Sequence, residues 1–343
     1  MIDLRSIYKG CSVLITGGAG FIGSNLARSL VALGDVKVSI VDSFIPDQGG
    51  SLFNLHGIED HIELHKVDLR DAPALNHLVS GVDYVFNLAG NVSHLESMLN
   101  PLLDLELNCA AHVTLLEACR HYNPHVKIVF TSTRQVYGKP LYLPVDEKHR
   151  LAPLDVNGIN KLAAEHYHLL YHRIYGTRAV CLRLTNTYGP RQLLRHDRQG
   201  FIPWFIRGAM EGKVLELFGD GKQRRDLNYV DDVVEALLLT GASEATDGEI
   251  YNLGAPEPIS IAELAEELIS LTGRGHIRAV PFPAERQLID IGNFYSNFSK
   301  IERVIGWRPR TSLRMGLALT IEYYMRYGKH YLESDAHFLS RSN

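Results

Sequence analysis

The stretch VLITGGAGFIGSNL, residues 13–26, constrains the fold more than any other part of this chain. Val13, Leu14 and Ile15 form a short apolar run that suits a parallel strand buried on both faces. Gly17, Gly20 and Gly23 follow at GxxGxxG spacing, and Phe21, Ile22, Leu26, Leu30 and Leu33 then recur on one helical face. Strand, tight turn and helix in that order present free N–H groups and a positive dipole end, a natural seat for a pyrophosphate. A second apolar run, 38–41, ends in Asp42, close to the distance expected of a ribose-binding carboxylate.

Short β-like runs at 13–16, 38–41, 62–66, 84–88, 127–132 and 178–184 alternate with helix-compatible segments near 21–33, 71–79, 98–121 and 157–175. That alternation predicts an α/β protein with a Rossmann-type, doubly wound parallel sheet, its ligand beyond the carboxyl ends of the strands. After about residue 186 glycine, proline and arginine become dense. A helical pattern at 231–239 and a short strand at 249–253 then resume the alternation. The expected division is 1–186 plus about 228–255 as a dinucleotide-binding domain. A smaller, discontinuous C-terminal α/β lobe, 187–227 plus 256–343, would shape the substrate site.

A net charge of −4 over 343 residues offers no polycationic surface, so no nucleic-acid partner is expected. The four cysteines show no CxxC spacing and read as buried thiols of a reducing compartment. No run of about 18 apolar residues is present to span a bilayer, so no membrane partner and a cytoplasmic location are expected.

Further motifs occur in a fixed order: Asp68-Leu69, Asn87-Leu88-Ala89-Gly90, Asn108, Lys161, the run Arg183 to Pro190, Arg225-Asp226, Tyr229 to Asp232, and Gly306-Trp307-Arg308-Pro309. Together with the glycine turn and Asp42, they make the chain resemble the extended short-chain dehydrogenase/reductases that modify nucleotide sugars, as epimerases or dehydratases. The resemblance implies bound NAD, a nucleotide-diphosphate sugar as substrate, transient oxidation of a sugar hydroxyl, and a homodimer formed through helices near 98–121 and 157–175. It assigns Gly17, Gly20, Phe21, Ile22 and Gly23 to the pyrophosphate, with Asp42 and Ser43 at the adenosine ribose. Asp68 and Leu69 would flank the adenine. Leu88, Ala89, Gly90, Asn108 and Ser132 would line the cofactor, and Lys161 would reach the nicotinamide ribose. A carboxylate at Asp42 repels a 2′-phosphate, which favours NAD over NADP, although Arg28 and Lys37 are cations that would argue the other way. Asn91, Ser93, His94, Arg134, Gln135, Asn186, Arg191, Arg225 and Arg286 are the candidate substrate contacts. For Arg225 the alternative is an ion pair with Asp226 or Asp220.

Two departures from the family pattern matter chemically. Members carry a Tyr four residues before the active-site lysine, and here Asn157 stands there. An amide exchanges no proton near neutrality, so Asn157 cannot be a general base. It is left as a sugar contact, as a helix cap, or as both. Replacement of Asn157 by Tyr is then expected to preserve folding. Thr133 matches the family's catalytic Ser/Thr, but Arg134 and Gln135 follow where the 4,6-dehydratases carry Asp and Glu. Neither side chain titrates usefully, which disfavours ordinary dehydration. Thr133, Asn157 and Lys161 are thus the candidate catalytic set, with the proton carrier open between His94, Tyr137 and Asp155. Arg134 places a cation where an anionic sugar substituent, such as a uronate, would fit; a phosphate or Glu147 is the alternative partner. His168 and His172, at i, i+4, lack the flanking acid of a metal site and read as helix-surface or interface groups, so no metal is expected.

Overall fold

The computed structural model describes residues 3–197 and 200–332. After a first short helix, α1 (Leu4–Tyr8), come β1 (Ser12–Thr16), α2 (Phe21–Leu33), β2 (Lys37–Asp42), β3 (Ile62–Lys66), α3 (Ala72–Leu78) and β4 (Tyr84–Asn87). Three helices, α4 (His94–Leu99), α5 (Pro101–Leu105) and α6 (Ala111–Tyr122), lead to β5 (Lys127–Thr133), and α7 (Val156–Tyr175) leads to β6 (Arg178–Leu184). These strands form one parallel sheet in the order β6, β5, β4, β1, β2, β3, with strand Ile250–Asn252 added beyond β6. Apolar side chains of β1 and β5 are wholly buried, as expected for a sheet covered on both faces. The strand order reverses between β1 and β4, the crevice where ligands of such sheets bind.

The segment expected as one helix over 98–121 is broken. Asn100 caps a fresh start at Pro101, its Oδ1 accepting the Leu103 N–H at 3.4 Å, and a π turn at Glu106–Ala110 follows before α6. A proline at the first helical position has no N–H to lose, which is why the break falls there. The π turn carries Asn108 toward the interior, where it is fully buried. Helix α7 is capped by Asp155, whose Oδ1 accepts the Gly158 N–H at 2.6 Å, so the capping role considered for Asn157 belongs to its neighbour.

Beyond β6 the chain builds three small two-stranded sheets. Asn186–Tyr188 pairs with Leu227–Tyr229, Val214–Phe218 with His276–Val280, and Arg224–Arg225 with Ile259–Ser260. Helix Val230–Gly241 packs on α2 and beneath β5 before the chain re-enters the main sheet. Trp307 anchors the C-terminal segment: it is fully buried and donates its indole N–H to the Asp232 carbonyl at 2.9 Å.

Candidate active site

One cavity of about 540 Å³ opens at the carboxyl ends of β1, β4, β5 and β6. Its first wall is the glycine turn. A Cβ on Gly23 would stand 2.3 Å from the Gly17 carbonyl oxygen, and one on Gly17, where φ is +65°, would stand 2.9 Å from the Ala89 Cα. The turn and the loop after β4 therefore approach more closely than any side chain permits, leaving a backbone cradle of pyrophosphate dimensions. Asp42 stands beside it, with its two carboxylate oxygens accepting the Ala19 N–H at 3.1 Å and the Phe44 N–H at 2.9 Å. Burial pushes its pKa up, and those two N–H groups oppose the rise. Ser43, Phe21, Ile22, Gly20, Asp68, Leu69, Leu88, Ala89, Gly90 and Ser132 line the same wall, and the Ser132 hydroxyl is buried without a protein partner. Backbone cradle, adjacent carboxylate and unpartnered hydroxyl fit NAD. Arg28 is turned away, donating to the Asn54 carbonyl at 3.0 Å and to that of His56, so it offers nothing to a 2′-phosphate.

Asn108 does not line the cavity. Its amide nitrogen donates to the Asn91 carbonyl and to Asp104 Oδ2, both at 3.0 Å, so it braces the loop from behind Gly90. Asn157 does reach the cavity and is also a clamp: Nδ2 donates to the Asn91 carbonyl at 2.8 Å and to Asp104 Oδ2 at 3.4 Å. Asn160 gives a third amide bond, 2.8 Å, to Asp104 Oδ1. Asp104, 1% exposed, is therefore a buried carboxylate solvated by three asparagine amides. Tyr at 157 would withdraw both Asn157 donations from this cluster.

Lys161 lies on α7 with Nζ 3.4 Å from the Thr131 carbonyl and over the Phe130 ring. Burial pushes its pKa down to about 8, and Asp104 opposes that, so the ammonium is mostly retained at neutrality. Beneath it sit His112 and His168, both bonded to the Asn87 amide and both held neutral by burial. His168 is thus a core group stacked on Phe130, which corrects its expected place on the helix surface. His172, one turn further along α7, bonds the Thr177 carbonyl. Among the described residues no three His, Cys, Asp or Glu side chains converge on a metal-sized point.

Thr133 Oγ1 accepts the Gln135 N–H at 3.2 Å, which leaves its own O–H free to donate into the cavity. Tyr137 is excluded as proton carrier. It is fully buried, sits in a chain from Arg183 to Asn252, and its pKa is pushed up to about 12 by burial. His94 lines the cavity with Asp155 behind it. Asn91 and Ser93 line it as well, Ser93 Oγ capping α4 by accepting the Glu96 N–H.

At the far end lie Arg134, Asn186, Arg225 and Arg286. Arg134 donates to Asn186 Oδ1 at 3.1 Å and stacks on Phe294, and its other terminal nitrogen, Nη1, has no partner. Burial and the nearby Arg225 lower its pKa to about 9. Glu147 is engaged elsewhere, by the Asn252 N–H. Arg225 pairs with Asp290 at 3.5 Å, not with Asp220 or Asp226, and its Nε is unpartnered. Arg286 pairs with Asp197 at 2.5 Å. Arg191 does not reach the cavity; it holds Asn25 Oδ1 and stacks on Tyr323, tying the C-terminal helix to α2. Asp104, Gln223, Phe218 and Asp290 escape a reading of the sequence, because none belongs to a motif with recognisable spacing.

Residues 13–254 match the model of the NAD dependent epimerase/dehydratase family. A putative UDP-glucose 4-epimerase of Methanocaldococcus jannaschii is 33% identical over 91% of this chain and 97% of its own length. The solved UDP-glucose 4-epimerase of Thermotoga maritima, with UDP-glucose, superposes with a TM-score of 0.84 at 32% identity, covering 92% of this chain and 99% of that one. The Thermus thermophilus UDP-glucose 4-epimerase complex with NAD gives 0.81 at 30% identity, over 92% and 99%. No helix among the described residues is long and apolar enough to cross a membrane. Glycine cradle, the Asp42 carboxylate beside it and likeness over most of the chain converge: the chain belongs to the NAD-dependent epimerase/dehydratase family and is an NAD-using enzyme of the nucleotide-sugar type.

Proposed function

We propose that this enzyme epimerises a nucleotide-diphosphate sugar through a transient keto-sugar, and that the sugar carries an anionic group facing Arg134. The observation that carries this reading is one continuous cavity running from the glycine cradle past Lys161 and Thr133 to two guanidinium groups with unpartnered nitrogens. NAD, when bound, takes a hydride from the sugar and gives it back. Thr133 donates a hydrogen bond to the reacting oxygen, and the Lys161 ammonium stabilises negative charge in a site screened from water. Arg225 suits a diphosphate and Arg134 a carboxylate, because both guanidiniums are desolvated and each has a nitrogen to offer an anion. Under this reading residues 1–186 and about 228–255 hold the cofactor, and the remainder grips the nucleotide sugar.

Two measurements test it. UDP-glucuronate is expected to bind at least tenfold more tightly than UDP-glucose by calorimetry, and Arg134→Gln to erase the difference; equal affinities remove the acidic-sugar reading. Turnover in D₂O is expected to leave product carbons free of deuterium because the hydride returns. Carbon-bound deuterium would instead point to enolisation and water loss.

We also propose a homodimer. Tyr167, Leu170 and Ile174 form an exposed stripe on α7, Ile174 being 58% exposed, and Leu102 of α5, a helix packed on α7, is 72% exposed. Apolar residues at that spacing on packed neighbouring helices mark a protein interface. Leu170→Glu with Ile174→Glu is expected to halve the mass seen by sedimentation equilibrium; an unchanged mass would place the contact elsewhere.

A further inference from the structure

The missing phenol leaves the proton without a carrier, and one arrangement in the cavity wall has the parts for that task. His94 opens α4, and its Nδ1 lies 3.0 Å from Asp155 Oδ2. The Asp155 side chain is 2% exposed, and its other oxygen is committed to capping α7, so helix α7 itself fixes the carboxylate. The imidazole is about a third exposed, and that exposure is to the cavity. Its Nε2 stands 3.3 Å from the Gln135 amide nitrogen, on the residue whose backbone N–H holds Thr133 Oγ1. The Ser97 hydroxyl donates to the His94 carbonyl and accepts the Asn157 N–H, so one bridge joins this loop to the position where relatives carry Tyr.

We propose that His94, oriented by Asp155, is the proton-transfer group of this enzyme, an inference resting on the epimerase reading above. The Gln135 amide nitrogen can only donate, so Nε2 accepts from it in the resting site and the ring carries its hydrogen on Nδ1, on the side of the Asp155 carboxylate. Burial works against that ionised state of Asp155; His94, the Gly158 N–H and Arg134 together outweigh it and hold the carboxyl below its usual range. In the oxidative half, the O–H bond of the reacting sugar hydroxyl would break and its proton form a new N–H bond at Nε2, with NAD, when bound, supplying the acceptor for the carbon-bound hydride. Asp155 stabilises the imidazolium. In the reductive half Nε2 would give the proton back to oxygen as the same hydride is restored to the opposite face of the carbonyl carbon, so no net oxidation would occur. The charged groups around the pair are Glu96 on α4, Asp104 and Lys161 on the helices packed against it, and Arg134 beyond Asp155. Gln135 donates to Nε2 in the resting site and yields when a hydroxyl arrives.

The test uses the NAD-loaded enzyme with UDP-glucose and UDP-glucuronate as probes, beside His94→Asn and Asp155→Asn, the latter keeping a cap of equal quality. His94→Asn is expected to lower kcat about 10²–10⁴-fold with KM within about threefold. Long-range ¹⁵N–¹H NMR, with His94 identified by difference, is expected to show Nδ1–H in wild type and a mixture of tautomers in Asp155→Asn. Retention of kcat within about threefold, or an Nε2–H tautomer in wild type, overturns the proposal. Wild type inert toward both sugars would count against the epimerase reading, and the tautomer result would still decide the orientation claimed for His94.

Discussion

Asn157→Asp is expected to lose about 3–5 kcal/mol of folding stability, the range for an uncompensated charge left in a buried network. Asp104 is 1% exposed and is solvated by amide donors from Asn108, Asn157 and Asn160. The exchange removes one donor and sets a second carboxylate where Nδ2 stood, 3.4 Å from Asp104 Oδ2. It also withdraws a hydrogen bond from the Asn91 carbonyl in the cavity wall. Two carboxylates so placed cannot both ionise, so one folded-state pKa rises above its unfolded value near 4. A raised carboxyl pKa gives stability that is present at low pH and lost as pH climbs through it. Urea unfolding at pH 8 and pH 5 checks this: the deficit against wild type should shrink at the lower pH. Asn157→Ala should lose only about 1–3 kcal/mol, without that pH dependence. Equal stability of Asn157→Asp and wild type would mean that the asparagine cluster does not hold Asp104 as described.

The other large effect is expected at Gly23. An alanine Cβ there falls 2.3 Å from the Gly17 carbonyl oxygen and 2.7 Å from the Gly18 Cα, both backbone atoms that cannot swing aside. The β1–α2 turn must open, and the N–H groups that meet the pyrophosphate move with it. A displacement near 1 Å at such a site is worth about 100-fold, so NAD affinity by calorimetry should fall by at least that much, with about 1–3 kcal/mol of stability. Gly20 supplies the control. A Cβ at Gly20 meets only the Gly17 carbonyl oxygen, at 3.1 Å, and Gly20→Ala should weaken NAD binding tenfold at most. If the two variants bind alike, the cradle is not what grips the cofactor.

These residues also show which signals a sequence carries. The cofactor half is legible because its signals are local: β1, the glycine turn, α2 and Asp42 follow one another within thirty residues, each with its own spacing rule. The return of residues 250–252 to the sheet is visible as a shift in composition after the glycine- and proline-rich stretch. Over 98–121 the apolar period misleads, since it runs through Asn100-Pro101 and reports neither a cap nor a π turn. Asp104 carries no motif, and two of the three asparagines that give it meaning, Asn157 and Asn160, lie more than fifty residues away. Arg191, a candidate by its place beside Gly189-Pro190, adopts φ +73° and turns toward the C-terminal helix, a local conformation invisible in composition. The pairing of His94 with Asp155 spans sixty residues and needs the tertiary fold to appear.

The late strand Ile250–Asn252, hydrogen-bonded along β6, has a consequence for how the chain is made. A ribosome releases β6 well before it releases the segment that covers its outer side. During that interval a nascent chain carries an unpaired strand edge, apolar from Ala179 to Leu182, the kind of surface that recruits chaperones or sticks to its twin. The detour through the loops between β6 and this strand therefore sets the order of assembly as well as the shape of the pocket.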